Sequence, residues 1–326
     1  MGAYLEVSHR CGVRYLAVVS PVGVSVRRYL PVWMVLSACV GSNSETASPP
    51  VNSDSGESTT QSLVDRLGCN PDLQMFRRVW MNATAIPSVP KIRWESDSPL
   101  SPYVVTDVGR EEWLVSPVPE TAANMDEQPV LGIPYQRESW SVLVADTDAG
   151  RACSEPIYSP AAALDPNVPE LSLTTVDFER AQGGYTALAL LTELGSSVII
   201  VDEYGEYVWA IGSGEGTLSR VMFSADGDSI LYMPWAATVD APATVYRVGF
   251  DGEVIDTKSL TGGHTDFLEL PDGGFAAISW DLREMEDEQG NQFSMLGDRI
   301  VEVDAEGNER EVWSIYDVYD PELGLP

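Results

Sequence analysis

Few side chains in this sequence are suited to acid–base or nucleophilic catalysis at neutral pH, and the main candidate is one histidine. Only two of the 326 residues are histidines, His9 and His264. An imidazole has an ordinary pKa close to neutrality, so it can donate a proton, accept one or attack as a nucleophile. Because His9 falls in an N-terminal leader, described below, His264 is the candidate catalytic residue. Asp266, two positions later, either orients the imidazole ring or caps a turn.

His264 opens a predicted β-hairpin that must position it. Residues 262–274 predict a strand, a tight Asp-Gly turn and the start of a second strand. Asp-Gly favours such turns because glycine readily adopts a positive φ. Residues 223–232 carry the same pattern around their own Asp-Gly. A histidine at a hairpin entry can also be purely structural, bonded to a carbonyl group, and the sequence leaves both roles open.

A second type of hairpin alternates with the first. Each copy has an apolar strand, an acidic turn that ends in glycine and a further strand, at residues 198–209, 244–254 and 299–313. The turn glycines Gly205 and Gly252 are 47 positions apart, and the next copy follows after 55. Two hairpins in about 50 residues make a four-stranded unit, the size of a propeller blade. An open sandwich of stacked hairpins explains the alternation but not the regular period.

The repeats predict an incomplete β-propeller over residues 166–326. This length has room for about three blades. A propeller needs more blades than that to close on itself. An open arc would leave strand edges and one blade face uncovered. The expectation is therefore either a truncated gene product, which is the simpler interpretation, or a partner that supplies the missing blades.

A smaller all-β domain is predicted before the repeats, over residues 66–160. Residues 89–95 and 140–146 alternate between apolar and polar side chains, as half-buried strands do, and proline and glycine mark turns between them. Short strands without a helical period indicate a fibronectin type III-like β-sandwich. It shows no catalytic constellation. Cys69 and Cys153 are predicted to form a disulfide, the alternative being two buried thiols.

The N-terminus resembles an export signal. Arg27 and Arg28 precede an apolar run, residues 29–38, which ends in Leu-Ser-Ala directly before Cys39. This pattern resembles the bacterial lipobox, in which the cysteine is acylated and becomes the mature N-terminus. Residues 1–38 are then a leader, Cys39 the lipidation site and residues 39–65 a flexible polar tether. The alternative is a short buried helix with a chance cysteine.

Export with a lipid anchor places the chain at the periplasmic face of a bacterial membrane or at the cell surface. The net charge of −31 and the pI near 4.1 are compatible with a soluble exported domain. Such a surface repels nucleic acid, which is not expected as a partner. It also repels an anionic substrate, so a sulfate or phosphate group has to be met by local positive side chains.

The repeats are similar to the bacterial arylsulfotransferase (aryl-sulfate sulfotransferase) family. The similarity is carried by residues 201–209, 264–273, 297–304 and 312–317. The order of sandwich and then propeller also occurs in that family. The resemblance implies a six-bladed propeller whose central channel transfers a sulfuryl group from a phenolic sulfate ester to a phenol acceptor through a sulfated histidine.

The resemblance assigns His264 to an early channel position that contacts the sulfuryl group or the phenolic oxygen. The nucleophilic histidine, a further histidine and an arginine come later in the family, but no histidine follows His264 here. Thr265 also departs from the family, which often has a histidine nearby. Weak or absent sulfotransferase activity is therefore expected. No metal or other cofactor is implied, and the turn aspartates are expected to form turns rather than bind metal: Asp202, Asp251, Asp272 and Asp304.

The alternative hypothesis is a non-catalytic cell-surface module that binds a glycan or a protein through a propeller face. Its candidate stacking residues are aromatic, although several are expected in the blade core: Tyr204, Trp209, Trp235 and Trp280.

Overall fold

The computed structural model describes residues 4–8, 14–18, 63–169, 171, 183–192, 195–214, 216–286 and 289–318, with side chains except at 4–8, 14–18, 213 and 214. Cys39 and nearly all of the predicted tether lie outside these ranges. Two strands within the predicted leader pair antiparallel, β1 (Tyr4–Ser8) with β2 (Arg14–Val18). In the part of the chain that is described, no helix is long and apolar enough to cross a membrane.

Two antiparallel sheets form the first packed unit. One has the order β3-β4-β7, and the other has the order β10-β8-β5-β6 with β9 also paired to β8. Their strands are β3 (Phe76–Asn82), β4 (Lys91–Leu100), β5 (Tyr103–Asp107), β6 (Leu114–Val115), β7 (Ala123–Pro129), β8 (Ser139–Thr147), β9 (Gly150–Cys153) and β10 (Ile157–Ser159). Ile92 and Trp94 of the first sheet share one core with Val104 and Leu143 of the second. The sheets therefore pack face to face, as the alternating sequence predicts.

A disulfide joins Cys69 to Cys153, which confirms that predicted pair. It ties the segment before β3 to β9 and closes a span of 84 residues. By the chain-entropy argument, a link of this length stabilises the folded state by up to about 4–5 kcal/mol. Leu63 and Leu67 pack into a second core against β8. The described packing thus includes Leu63, which lies within the predicted tether of residues 39–65.

Three consecutive antiparallel sheets form the rest of the described chain, and each follows chain order. The first has three described strands, and the next two have four. They are β11 (Thr186–Thr192), β12 (Gly195–Val201) and β13 (Tyr207–Gly214); β14 (Leu218–Phe223), β15 (Ser229–Pro234), β16 (Pro242–Gly249) and β17 (Val254–Thr261); and β18 (Gly263–Glu269), β19 (Phe275–Glu286), β20 (Gln292–Val303) and β21 (Glu309–Ser314). A 3-10 turn follows at Ile315–Asp317. The four-stranded unit predicted from the repeat spacing is confirmed.

Each of these sheets packs a face against the next one. Val198 and Trp209 of the first sheet share a core with Ile230 of the second. Met233 and Leu260 of the second sheet share another core with Phe267, Phe275 and Val301 of the third. Strand β14, which begins the second sheet, contacts both β11 and β18. This is the arrangement of successive propeller blades, and the described strands form no closed barrel.

The predicted turn chemistry is present at the acidic turns. Oδ1 of Asp202 accepts hydrogen bonds from the backbone N–H groups of Tyr204 and Glu206, at 3.0 and 2.9 Å. Oδ1 of Asp304 accepts the equivalent bond from Asn308, at 2.8 Å. The glycines that close the hairpins all have a φ between +75° and +89°: Gly205, Gly227, Gly252, Gly273 and Gly307. These positions require a conformation that other residues rarely adopt.

The sandwich attaches to one end of the repeated sheets. Arg110 of the sandwich forms ion pairs with Asp202, at 2.6 Å, and with Glu206 of the β12–β13 turn. Arg137 also binds Glu206, and Lys91 lies 2.7 Å from Asp251 of the β16–β17 turn. Burial tends to raise the pKa of Glu206, but the two arginines outweigh burial and hold it below its usual range.

His264 lies at the opposite end. Strand β17 leads away from the turn that contacts the sandwich and ends at Thr261, and β18 begins two residues later at Gly263. The repeated sheets therefore have one end held by the sandwich and another end that carries His264.

The Arg110 contacts predict a large and specific loss of stability in one variant. Arg110→Gln leaves the carboxylate of Asp202, whose side chain is only 6% exposed, without its ion-pair partner. Removing one partner of a buried pair costs about 3–5 kcal/mol. Arg137→Gln is the matched control, because its side chain is 39% exposed and exposed pairs contribute about 1 kcal/mol or less. Urea unfolding of both variants measures the difference, and equal losses would contradict this account of the junction.

Candidate functional site

His264 is the second residue of β18 and is buried, with 6% of its surface exposed. Its ring stacks on Trp280, with ring centres 4.9 Å apart and planes 21° apart. Trp235 approaches from another side, 6.0 Å away and edge-on. Trp280 reaches this position because it lies on β19 two residues beyond Ile278, the partner of His264 in the sheet. One tryptophan from the loop after β15 and one from β19 therefore hold the imidazole plane.

Two glycines allow the chain to enter β18 at this point. A Cβ atom on Gly262 would lie 2.6 Å from the carbonyl oxygen of Val239, and one on Gly263 would lie 2.8 Å from Ala243 and Leu260. Real Cβ atoms essentially never show such distances, so a side chain at Gly262 would displace the loop that follows β15, and one at Gly263 would displace Ala243 and Leu260. The Gly-Gly-His sequence is thus explained by close packing on the N-terminal side of His264.

An irregularity follows His264 directly. The pairing with β19 passes from His264↔Ile278 to Phe267↔Ala277, which leaves Thr265 and Asp266 as additional residues in β18. Thr265 has a φ of +60°, in the left-handed region that a β-branched residue rarely adopts. The bulge places the hydroxyl of Thr265 beside the imidazole, with Oγ1 2.6 Å from Nδ1 of His264.

The other ring nitrogen faces a carboxylate but has no hydrogen bond. Nε2 of His264 lies 3.3 Å from Oδ1 of Asp298. At this distance the carboxylate acts on the ring by its charge, while the buried Nε2 makes no hydrogen bond to the described residues. Burial lowers the pKa of His264, and the carboxylate of Asp298 offsets this effect only in part. The neutral form of the imidazole is therefore favoured.

The predicted site residue Asp266 contacts a different side chain. Its carboxylate lies 3.1 Å from Nη1 of Arg220 on β14, and it accepts a hydrogen bond from the backbone N–H of Phe267 at 2.8 Å. The side chains beside the ring nitrogens of His264 are instead Thr265, 2.6 Å from Nδ1, and Asp298, 3.3 Å from Nε2. Sequence reasoning missed both of these residues. Asp298 lies in one of the segments that carry the family resemblance. A hairpin that pairs it with Trp280 was the signal that could have placed its carboxylate near His264.

An apolar surface adjoins the imidazole. Strands β19 and β20 extend beyond their neighbours, so that residues 280–286 and 292–298 form a two-stranded ribbon. Leu282 pairs with Leu296 next to the pair Trp280–Asp298. Cross-strand partners and residues two positions apart share a face of a sheet, so both leucines lie on the same face as Trp280. They are about 7 Å from the Trp280–Asp298 pair, measured along the strands away from His264. Leu282, Leu296 and Trp235 are about half exposed, and we call these three residues the apolar rim.

Comparison with known protein families identifies the part of the chain that contains this site. Residues 174–324 match the family described as Arylsulfotransferase (ASST). This part of the chain belongs to the arylsulfotransferase family. The match covers all three repeated sheets, and with them His264 and the apolar rim, and it confirms the predicted resemblance. A comparison with curated proteins gave no match.

The contacts of His264 predict how stability depends on pH. The folded-state pKa of His264 lies below the ordinary value of 6.5. As pH falls through about 6.5, the unfolded chain therefore binds a proton first, and the stability that the neutral ring contributes is lost. The stability advantage of the wild type over His264→Gln is expected to shrink between about pH 7.5 and pH 5.5, by at most about 1.4 kcal/mol per pH unit. Urea unfolding at each pH measures this advantage.

Asp298→Asn is the control for this experiment. Because the carboxylate of Asp298 raises the pKa of His264, its removal is expected to make the loss on acidification steeper. A wild-type advantage that grows on acidification would show that the pKa of His264 is raised, and would contradict the account.

Proposed function

We propose that the repeated sheets bind a phenolic sulfate ester, with the sulfuryl oxygens at His264 and the aryl ring on the apolar rim. The observation that carries the proposal is the buried Nε2 of His264, which has no hydrogen-bond partner among the described residues and lies between two tryptophans. A buried polar atom without a partner is costly in a folded protein and often marks a ligand position. Membership of the arylsulfotransferase family supports phenolic substrates in general.

His264 fits the role of a hydrogen-bond donor in this proposal. In sulfuryl transfer the bond between sulfur and the phenolic oxygen breaks, and negative charge develops on that oxygen as the phenol leaves. A neutral N–H group in a site shielded from water stabilises such charge. Arg220 is the proposed positive group near the sulfuryl oxygens. It is half exposed on β14 and forms an ion pair with Asp266 of β18. A positive group is needed there because the net charge of −31 repels an anionic ester.

The complete sulfo-histidine scheme needs a histidine nucleophile in addition to His264. Residues 174–324, which match the family, contain no other histidine. We therefore propose that the 326 residues bind aryl sulfate esters at His264 and catalyse little or no transfer by themselves.

A non-catalytic binding module is the second candidate, and the exposure of two aromatic residues favours it. Trp235 is half exposed beside His264, and Tyr204 is exposed at the sandwich end with the guanidinium of Arg110 4.2 Å from its ring centre. Trp209 is not available, because it is fully buried and donates a hydrogen bond to the carbonyl of Phe250 at 2.9 Å. Glycan binding lost in Trp235→Ala, without any affinity for aryl sulfates, would favour this candidate.

Export and lipid anchoring through Cys39 remain part of the proposal. The Cys69–Cys153 disulfide supports an oxidising compartment such as the periplasm or the cell surface.

Binding of 4-nitrophenyl sulfate, measured by calorimetry on the purified chain, tests the proposed function. His264→Ala is expected to weaken binding about tenfold or more, since it removes a hydrogen bond to a charged group. Leu282→Ser and Leu296→Ser are expected to weaken it several-fold each, because each leucine loses apolar contact with the ring. Release of 4-nitrophenol in the presence of phenol is expected to be slow or absent.

Leu268→Ser is the matched control, because Leu268 is exposed to a similar extent on β18 but outside the apolar rim. Binding that Leu268→Ser weakens as much as Leu282→Ser would contradict the proposed aryl position. Affinity for the ester that survives His264→Ala unchanged would contradict the role of His264.

A further inference from the structure

Thr265 adopts a conformation that its own residue type disfavours, directly after the candidate site residue. Its φ of +60° is one of two positive values among the described non-glycine residues, the other being Gln136. Threonine carries a branched Cβ, which crowds the backbone in the left-handed region more than an asparagine or glycine would. Such strain persists where the surrounding structure requires it, and it is concentrated at functional sites.

The strained backbone brings one specific contact. Thr265 is exposed, so no core packing explains its side chain. Its hydroxyl lies 2.6 Å from Nδ1 of His264, the residue before it in the chain. In a regular strand, neighbouring side chains point to opposite faces and do not meet in this way. The bulge therefore allows the hydroxyl to reach the imidazole.

The direction of this hydrogen bond follows from the other side of the ring. A neutral imidazole has one N–H group and one lone pair, and a carboxylate only accepts hydrogen bonds. Nε2 faces the carboxylate of Asp298 at 3.3 Å, where a lone pair on Nε2 would be repelled. The proton is therefore on Nε2, and Nδ1 accepts a hydrogen bond from the Thr265 hydroxyl.

We propose that Thr265 is a positioning residue that occupies the Nδ1 lone pair of His264 and so presents the Nε2–H group to the ligand. In this arrangement His264 donates a hydrogen bond to an oxygen of an anionic ester, and its lone pair is not free to attack sulfur. The assignment of the ligand rests on the proposed function. The state of the two ring nitrogens does not, and it can be measured without any ligand.

Nitrogen-15 NMR of the full chain labelled at histidine tests the proposal at about pH 8, where the imidazole is neutral. His9→Asn removes the signals of the other histidine. In this background, Nδ1 of His264 is expected to be unprotonated and to show the chemical shift of a hydrogen-bond acceptor. Thr265→Val, which has a similar shape but no hydroxyl, is expected to move the Nδ1 signal to the value of an unbonded nitrogen.

Two further variants separate the effect of the Thr265 hydroxyl from the effect of the backbone conformation. Thr265→Ser keeps the hydroxyl and is expected to retain the wild-type Nδ1 signal. Thr265→Gly tolerates the positive φ but lacks the hydroxyl, so it is expected to fold and to show the unbonded signal. A protonated Nδ1 in the parent chain, or an Nδ1 signal that is unchanged in both Thr265→Val and Thr265→Gly, would overturn the proposal.

Affinity for 4-nitrophenyl sulfate then connects the contact to binding. Thr265→Val is expected to lose several-fold in affinity, and Thr265→Ser is expected to restore it. If the parent chain does not bind the ester at all, the proposed function fails, while the NMR result still decides the role of Thr265. Equal affinities of the parent chain and Thr265→Val would contradict a positioning role in binding.

Discussion

The packing of each repeated sheet against the next is the interaction on which this structure depends. An isolated antiparallel sheet of three or four strands exposes apolar side chains on both faces, and these sheets bury them in two shared cores. The same packing brings the loop after β15 over the start of β18, where it encloses His264 between Trp235 and Trp280. The candidate site is therefore formed between two sheets and belongs to neither sheet alone.

The two ends of the repeated sheets differ in chemistry. At the sandwich end, acidic turn residues are bound by Arg110, Arg137 and Lys91. These pairs neutralise charge and fix the sandwich to the turns. At the other end, the ribbon of residues 280–286 and 292–298 extends beyond its neighbours and exposes the apolar rim. The first end is suited to holding the two units together, and the second is suited to receiving a ligand with an aromatic group.

Local sequence signals predicted much of the fold. Glycine spacing predicted the four-stranded units because each hairpin needs a residue with positive φ at a fixed place. The Cys69–Cys153 disulfide followed from the number of cysteines left after the leader. The family was recognised from short segments around the same turns. These features depend on neighbours in the chain or on residue counts, and they do not require the three-dimensional packing.

The details of the site were beyond sequence reasoning because they depend on register and on contacts between strands. Asp266 is the carboxylate closest to His264 in sequence, but the bulge directs it to Arg220. The carboxylate beside the imidazole comes from Asp298, which is 34 positions away in the sequence. No local pattern predicts a left-handed threonine, since the residue type itself disfavours that conformation. The ion pairs of Arg110 likewise join segments that only the folded structure brings together.

The most direct test of the account follows the Nε2–H group of His264 while an aryl sulfate binds. The full chain, labelled with nitrogen-15 at histidine, is titrated with 4-nitrophenyl sulfate, and the signals of both histidines are recorded. The account predicts a saturable change in the Nε2 signal of His264, with the signals of His9 unchanged. Saturable binding of the ester without any change at His264 would contradict it.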